Sequence, residues 1–139
     1  MSGAGREHRW PVRVYFEDTD FSGVVYHAAY LRLLERGRTE LLREAGVDAR
    51  GLFAAGHSFA VRHMTLDFAR PARMDDLLAI RSVVAKVGGA SLLMRQAVQR
   101  GDETLVEADV RLGLVLNGRA VRFPPRLVEL LSNTPLGGN

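Results

Sequence analysis

The sequence predicts an α+β fold in which a curved antiparallel β-sheet wraps one long central helix. Three observations carry that expectation. The stretch from Tyr26 to Ala45 spaces its apolar residues by threes and fours, the period of a helix with one buried face. Almost everything after it is β-patterned, in consecutive runs parted by glycines or by Asn117-Gly118. No helical pattern alternates with these runs, so the strands pair with one another and not through crossover helices.

Taken in order, Trp10 to Phe16 is rich in β-formers and reads as the first strand, and Glu17 to Gly23 as a polar loop. In the helix, Tyr30, Leu34, Gly37, Leu41 and Ala45 share a face that Leu31 and Leu42 widen. Arg32, Arg36, Glu40 and Arg43 take another side. Gly46 supplies the stop after roughly 30 Å of helix. Asp48 caps a short second helix ending near Ala55. Strict alternation from His57 to Phe68 puts Ala60, Arg62, Met64, Leu66 and Phe68 on one face. Val61, His63, Thr65 and Asp67 fall on the other. Leu77 to Val87 and Ser91 to Arg100 form a hairpin about Gly88-Gly89. Thr104 to Leu116 alternates most cleanly, with Val106, Ala108, Val110, Leu112 and Leu114 inward. Arg119 to Phe123 makes a last short strand, and Pro124 to Leu131 closes with a helical turn. The expected organisation is one domain over residues 9–131, with flexible tails at 1–8 and 132–139.

Composition narrows the function. The chain has 139 residues, enough for one domain, with 47% hydrophobic and 25% charged residues, as in ordinary globular chains. No apolar run approaches the ~18 residues of a membrane span, and Met1 to Trp10 lacks the apolar core of a signal peptide. With no cysteine, disulfides and thiolate catalysis are excluded, which suits a cytoplasmic protein. The net charge of +3 and pI near 9.9 come almost wholly from arginine, Lys86 being the only lysine. These arginines are scattered and interleaved with acids, so no nucleic-acid partner is expected. A few of them gripping the phosphates of a nucleotide-bearing substrate is the other reading of the same balance.

Chemistry concentrates between Tyr15 and Tyr30, in YFEDTDFSGVVYHAAY. Glu17, Asp18 and Asp20 lie in a loop that leads into the helix. The first N–H groups of a helix lack internal partners and carry the positive end of its dipole. An oxyanion forming there is stabilised, and a carboxylate held nearby can attack the same carbon or activate a water. Gly23 lets the backbone approach a ligand closely. On residue types alone the acids read first as helix caps and dipole partners, and second as a site.

The stretch EDTDFSGVVYHAAYLRLLERGRTELLR resembles the signature of the hotdog-fold thioesterases, nearest to the Tol-Pal-associated (YbgC-type) and 4-hydroxybenzoyl-CoA thioesterases. The match runs on through Glu35, Arg36, Arg38, Thr39 and Glu40, and VRHMTLDFARPARMDDLLAI extends it, so that the likeness spans about Val12 to Pro124. The resemblance implies a hotdog fold and hydrolysis of an acyl-CoA or acyl carrier protein thioester to free acid and thiol. It makes Asp20 the catalytic nucleophile or general base. It makes His27 the residue whose backbone N–H polarises the thioester carbonyl, with its imidazole positioning the acyl group or the water. Gly23 and Tyr26 shape the substrate pocket. It further implies a homodimer or homotetramer with sites at subunit interfaces, and no metal or other cofactor. Phe21-Ser22 stands where relatives carry small residues, which bears on acyl preference. A non-catalytic acyl-CoA-binding module is the rival reading, and a hotdog dehydratase a weaker one.

Other candidates are ordinary. His57, His63 and Asp67 lack a metal-ligand spacing and read as a polar strand face. Ser91 reads as a turn exit. No G-x-S-x-G elbow, G-x-G-x-x-G run or phosphate loop occurs.

Overall fold

The helical stripe and the alternating strand faces meet as their periods require. The computed structural model describes residues 6–133. In order they form β1 (Arg6–Arg13), α1 (Ala29–Glu44), α2 (Ala49–Ala54), β2 (His57–Phe68), β3 (Leu77–Gly88), β4 (Ser91–Arg100), β5 (Glu103–Leu116), β6 (Arg119–Val121) and α3 (Pro125–Asn133). A single 3₁₀ turn, Phe16–Asp18, precedes α1. All strand pairs are antiparallel, in the order β1-β3-β4-β5-β2, and β6 pairs with the end of β5 beyond the last partner of β4. The result is the α+β, hotdog-type arrangement expected, one long helix laid across an antiparallel sheet.

Burial follows the pleat. In β3, Leu78, Ile80, Ser82 and Val84 are buried; in β4, Leu92, Met94, Gln96 and Val98. In β5, Val106, Ala108, Val110, Leu112 and Leu114 are buried at every second residue, and Leu105 and Gly113 are buried beside them. Against this face lie Leu33, Leu34, Gly37 and Leu41 of α1, which packs on β1, β3 and β4. Gly37 permits the close approach. A Cβ there would fall inside the van der Waals envelope of Ile80 Cγ2 and within 3.3 Å of Gln96 Nε2. Leu127 and Leu131 of α3 fill the space beside β1 and β3.

Several expectations are corrected. The helix starts at Ala29, not Tyr26, because Val24 and Val25 still make β-bridges, to Arg73 and Thr19, and the Tyr26 N–H is taken by the Asp18 carbonyl. Leu31 is 42% exposed and Leu33 takes the buried place, since the stripe follows the sheet contact at Leu34 and Gly37. In β2 the register shifts between Val61 and His63, a bulge at Arg62. The bulge reverses alternation, so Phe59 and Val61 share the face of Met64 and Leu66, while Ala60 turns outward opposite Gly113. The first strand begins at Arg6. Residues 6–8, read as tail, pair with Ser82 to Val84, and Glu7 forms an ion pair with Arg81. That strand ends at Arg13, because Phe16 to Asp18 wind into the 3₁₀ turn. Ser132 and Asn133, also read as tail, extend α3. The remainder of the two expected tails, residues 1–5 and 134–139, lies outside the described residues.

The helix-sheet approach makes a stability prediction. Gly37→Ala gains roughly 1 kcal/mol of helix propensity but forces Ile80, which is fully buried, to move. Overpacking of this kind costs about 1–3 kcal/mol. The expected result is a lower urea midpoint for the variant with an unchanged slope. An unchanged or higher midpoint would show that α1 rides off the sheet.

Candidate active site

Asp20 opens a tight three-residue turn. Its N–H donates to the Val24 carbonyl at 2.9 Å, the Gly23 N–H donates to the Asp20 carbonyl at 3.1 Å, and Thr19 bridges Val25 just outside. Gly23 has φ +78°, the left-handed conformation this loop demands of its last residue. Asp is favoured at the first position of such a turn because its carboxylate reaches the N–H two residues on. Here Asp20 Oδ1 accepts from the Ser22 N–H at 2.9 Å and from Ser22 Oγ at 2.8 Å. The backbone N–H groups of Val24 and of Asp20 itself act more weakly on the same carboxylate. Phe21, at the corner, is fully exposed.

The turn is bound to the foot of α1. The Tyr26 N–H donates to the Asp18 carbonyl at 3.0 Å, and the Ala29 N–H to the Tyr26 carbonyl at 2.8 Å. The N–H groups of His27 and Ala28 find no acceptor among the described residues. Ala28 occupies the cap position, has no side chain to offer, and no acid stands in the first turn. The dipole end of a 16-residue helix is therefore open beside the Asp20 turn. The rings of Tyr26 and His27 lie together at 4.5 Å between centroids, both exposed.

A third segment, residues 69–76, backs both halves. The Val25 N–H donates to the Ala72 carbonyl at 2.8 Å, the Met74 N–H to the Gly23 carbonyl at 3.2 Å, and the Ala72 N–H to Tyr30 Oη at 2.9 Å. Asp76 secures this segment, since its Oδ2 accepts from the Arg73 N–H and from Arg100 Nη1, each at 2.8 Å.

The electrostatics suit a base or nucleophile. The hydrogen bond from the Ser22 hydroxyl, then that from the Ser22 N–H, holds the Asp20 carboxyl below its usual value, so it is ionised at neutral pH. Asp18 is occupied elsewhere: its Oδ2 accepts from the Tyr15 N–H at 2.9 Å and its Oδ1 lies 3.8 Å from Arg32. Burial raises the Tyr30 phenol, which fits a neutral hydroxyl inside the fold.

Asp20 and Gly23 thus share one turn, and Tyr26 and His27 share the helix foot that this turn abuts. Ser22 was not anticipated as the partner of Asp20, although D-x-S at i, i+2 is the spacing of a side-chain-capped turn. The ties through Tyr30, Asp76 and Arg100 were also unforeseen. A cavity of about 240 Å³ lies between Val25, Tyr30 and Phe68. No group of three or more His, Asp or Glu fit to hold a metal occurs among the described residues. None of the described helices is long and apolar enough to cross a membrane.

Known proteins share this sequence and fold. The acyl-CoA thioester hydrolase YbgC of Escherichia coli O6:H1 is 47% identical over 119 residues, covering 85% of this chain and 87% of that protein. The acyl-CoA thioesterase YbgC of Haemophilus influenzae is 41% identical, covering 83% and 87%. The crystal structure of a probable thioesterase from Bartonella henselae superposes with a TM-score of 0.79 at 43% identity, over 85% of this chain and 99% of that one. A 4-hydroxybenzoyl-CoA thioesterase structure, at 23% identity and TM-score 0.85 over 91% and 99%, shares the fold. Residues 14–131 match the model of the thioesterase-like superfamily, and the chain belongs to that family.

Proposed function

We propose that the protein hydrolyses the thioester of an acyl-CoA, or of an acyl carrier protein, with Asp20 as nucleophile or general base and the N–H groups of His27 and Ala28 as the oxyanion site. The chain is an acyl-CoA thioesterase by its family and its YbgC relatives. The observation that supports the residue assignment is the ionised carboxylate on a hydrogen-bonded turn beside an uncapped helix start.

As a base, Asp20 takes a proton from water. The resulting hydroxide adds to the carbonyl carbon, and the tetrahedral oxygen is held by the free N–H groups. Collapse breaks the carbon–sulfur bond, and the thiolate leaves with the proton to give acid and thiol. As a nucleophile, Asp20 Oδ2 adds to that carbon, the thiolate leaves, and water cleaves the resulting anhydride. The Oδ1 bonds to Ser22 hold the carboxylate in place on either route. Tyr26, the His27 ring and the Gly23 backbone border the acyl group in this reading, and exposed Phe21 stands at the rim.

A homodimer or homotetramer completes the site in this reading. Asp20, Phe21, Tyr26 and His27 are all exposed. β2 is an edge strand of 12 residues, none buried, with Val61 and Phe68 both about half exposed. Such an edge is a template for pairing. The cytoplasmic location expected from the composition belongs to the same reading.

Three measurements test it. Asp20→Asn is expected to stay folded by circular dichroism and to lose about 10²- to 10⁴-fold in thiol release from acyl-CoA esters. Near-wild-type turnover would remove Asp20 from the mechanism, and ligand binding with no turnover by the wild type would favour the binding-module reading. Single turnover in ¹⁸O-water separates the routes, because only the nucleophile route can leave label in Asp20. The pH profile tests Ser22. A carboxylate with a lowered pKa supports kcat/KM above that pKa and loses it as pH falls through it, so the wild-type acid limb lies below the ordinary aspartate value of 3.8. Ser22→Ala removes the largest cause of the lowering and should move that limb upward while leaving the rate at pH 7 within about threefold. An unmoved limb would show that the group titrating is not Asp20.

A further inference from the structure

Residues 73–76, Arg-Met-Asp-Asp, make a four-residue turn in which the Asp76 N–H donates to the Arg73 carbonyl at 3.1 Å. Its third residue, Asp75, has φ +73°, a left-handed conformation that glycine adopts freely and other residues adopt at a cost. A turn strained in this way persists only where its surroundings hold it. The Asp76 carboxylate does the holding. Its Oδ2 accepts from the Arg73 N–H at 2.8 Å, which closes the turn a second time, and from Arg100 Nη1 of β4 at 2.8 Å. Arg100 also donates to the Pro71 carbonyl at 3.3 Å and is oriented in turn by Glu103 Oε1. Burial acts to raise the Asp76 carboxyl, but the bonds from Arg100 and Arg73 outweigh it and hold the group below its usual value, ionised at neutral pH.

From Arg73 the path to Asp20 is short. Arg73 forms an antiparallel bridge with Val24, and the Val24 carbonyl accepts the Asp20 N–H at 2.9 Å. On either side of that bridge the Val25 N–H donates to the Ala72 carbonyl at 2.8 Å and the Met74 N–H to the Gly23 carbonyl at 3.2 Å. Residues 23–25, the part of the chain that joins Asp20 to the helix foot, therefore lie along residues 72–74, whose shape Asp76 sets. We infer that Asp76 is a positioning residue for thioester hydrolysis: through Arg73 and Val24 it sets where the Asp20 carboxylate stands relative to the N–H groups of His27 and Ala28. This role rests on the function proposed above and adds to it a group that touches neither the substrate nor the reacting atoms. Placement of this kind governs rate, since a reacting group displaced by about 1 Å can lose roughly 10²-fold.

Steady-state thiol release from an acyl-CoA ester by the full chain and its variants, each shown to be folded by circular dichroism, tests this. Asp76→Ala removes the acceptor and is expected to lose about 10- to 100-fold in kcat with KM within about threefold. Asp76→Asn keeps a neutral oxygen for the Arg73 N–H and should recover most of that loss. In an Asp20→Asn background, Asp76→Ala should cost less than about threefold more, because it acts through a group already removed. A purely structural role would lower the urea midpoint of Asp76→Ala and spare kcat, and that result overturns the proposal. So does a full further loss in the Asp20→Asn background, or no recovery in Asp76→Asn. Near-wild-type turnover by Asp20→Asn removes Asp20 from the mechanism and this role with it, whereas a defective Asp20→Asn beside a fully active Asp76→Ala overturns the role of Asp76 alone. Should Asp76→Ala fail to fold, Arg100→Met takes its place. It keeps the Arg73 bond but frees Asp76 and the Pro71 carbonyl from β4, and an unchanged kcat then overturns the proposal.

Discussion

Gly37 sets the distance between helix and sheet, and much of the molecule is arranged around that distance. With no Cβ at this position, Ile80 and the Gln96 amide reach the helix backbone. Gln96 Nε2 donates to the Leu34 carbonyl at 2.9 Å and to Ser82 Oγ at 2.8 Å, while its Oε1 accepts from Arg38. One side-chain amide therefore joins β3 and β4 to α1. Apolar contacts alone tolerate sliding of a helix over a sheet. A buried amide does not, because in any other register it is left without partners.

Fixing α1 on the sheet also fixes where its first turn stands, and the Asp20 turn is fitted to that end. Tyr30 ties the foot of α1 to Ala72, Ala72 takes the N–H of Val25, and Met74 holds the Gly23 carbonyl. Asp76 keeps this segment in shape through Arg73 and Arg100, and Arg100 closes β4 with a further bond to Glu103. The side chains of Asp20, Tyr26 and His27 are exposed, yet the backbone that carries them is bonded to the sheet on one side and the helix on the other. Preorganisation of this kind lets a few donors stabilise a developing charge without rearranging.

Much of this was legible in the sequence, and the rest was hidden for identifiable reasons. The helix stripe, the alternation of β5, the Asp48 cap and the Gly46 stop are local signals, and each appears where its residues stand. The bulge at Arg62 is not local. It is fixed by pairing with β5, and one extra residue silently swaps the faces of Ala60 and Val61. The missed burial of Leu33 and Arg38 has the same origin, since which side of a helix is covered depends on what lies across from it. Gln96 is 58 residues from its partner Arg38, and Arg100 is 24 from Asp76. No periodicity reports such pairs. In the segment from Asp20 to His27 the sequence motif singles out Asp20, Gly23, Tyr26 and His27, but the Ser22 clasp needed the turn geometry. The D-x-S spacing was visible and was read only as a difference in bulk.

The start of α1 shows a local rule set aside where chemistry would use the vacancy. A Ser, Thr, Asp or Asn in place of Ala28 would offer its side-chain oxygen to the N–H groups of the first turn, and such caps contribute about 1 kcal/mol. An acid in the first turn would add a favourable dipole interaction, and none is present. Either would place a permanent acceptor or negative charge beside the N–H groups proposed to hold the oxyanion. The anionic group stands instead on the neighbouring turn, where Ser22 holds Oδ1 of Asp20 with two hydrogen bonds. The helix forgoes its cap, and the stability it lacks there is supplied by Gln96, Tyr30 and the packing at Gly37, which hold the helix without occupying its end.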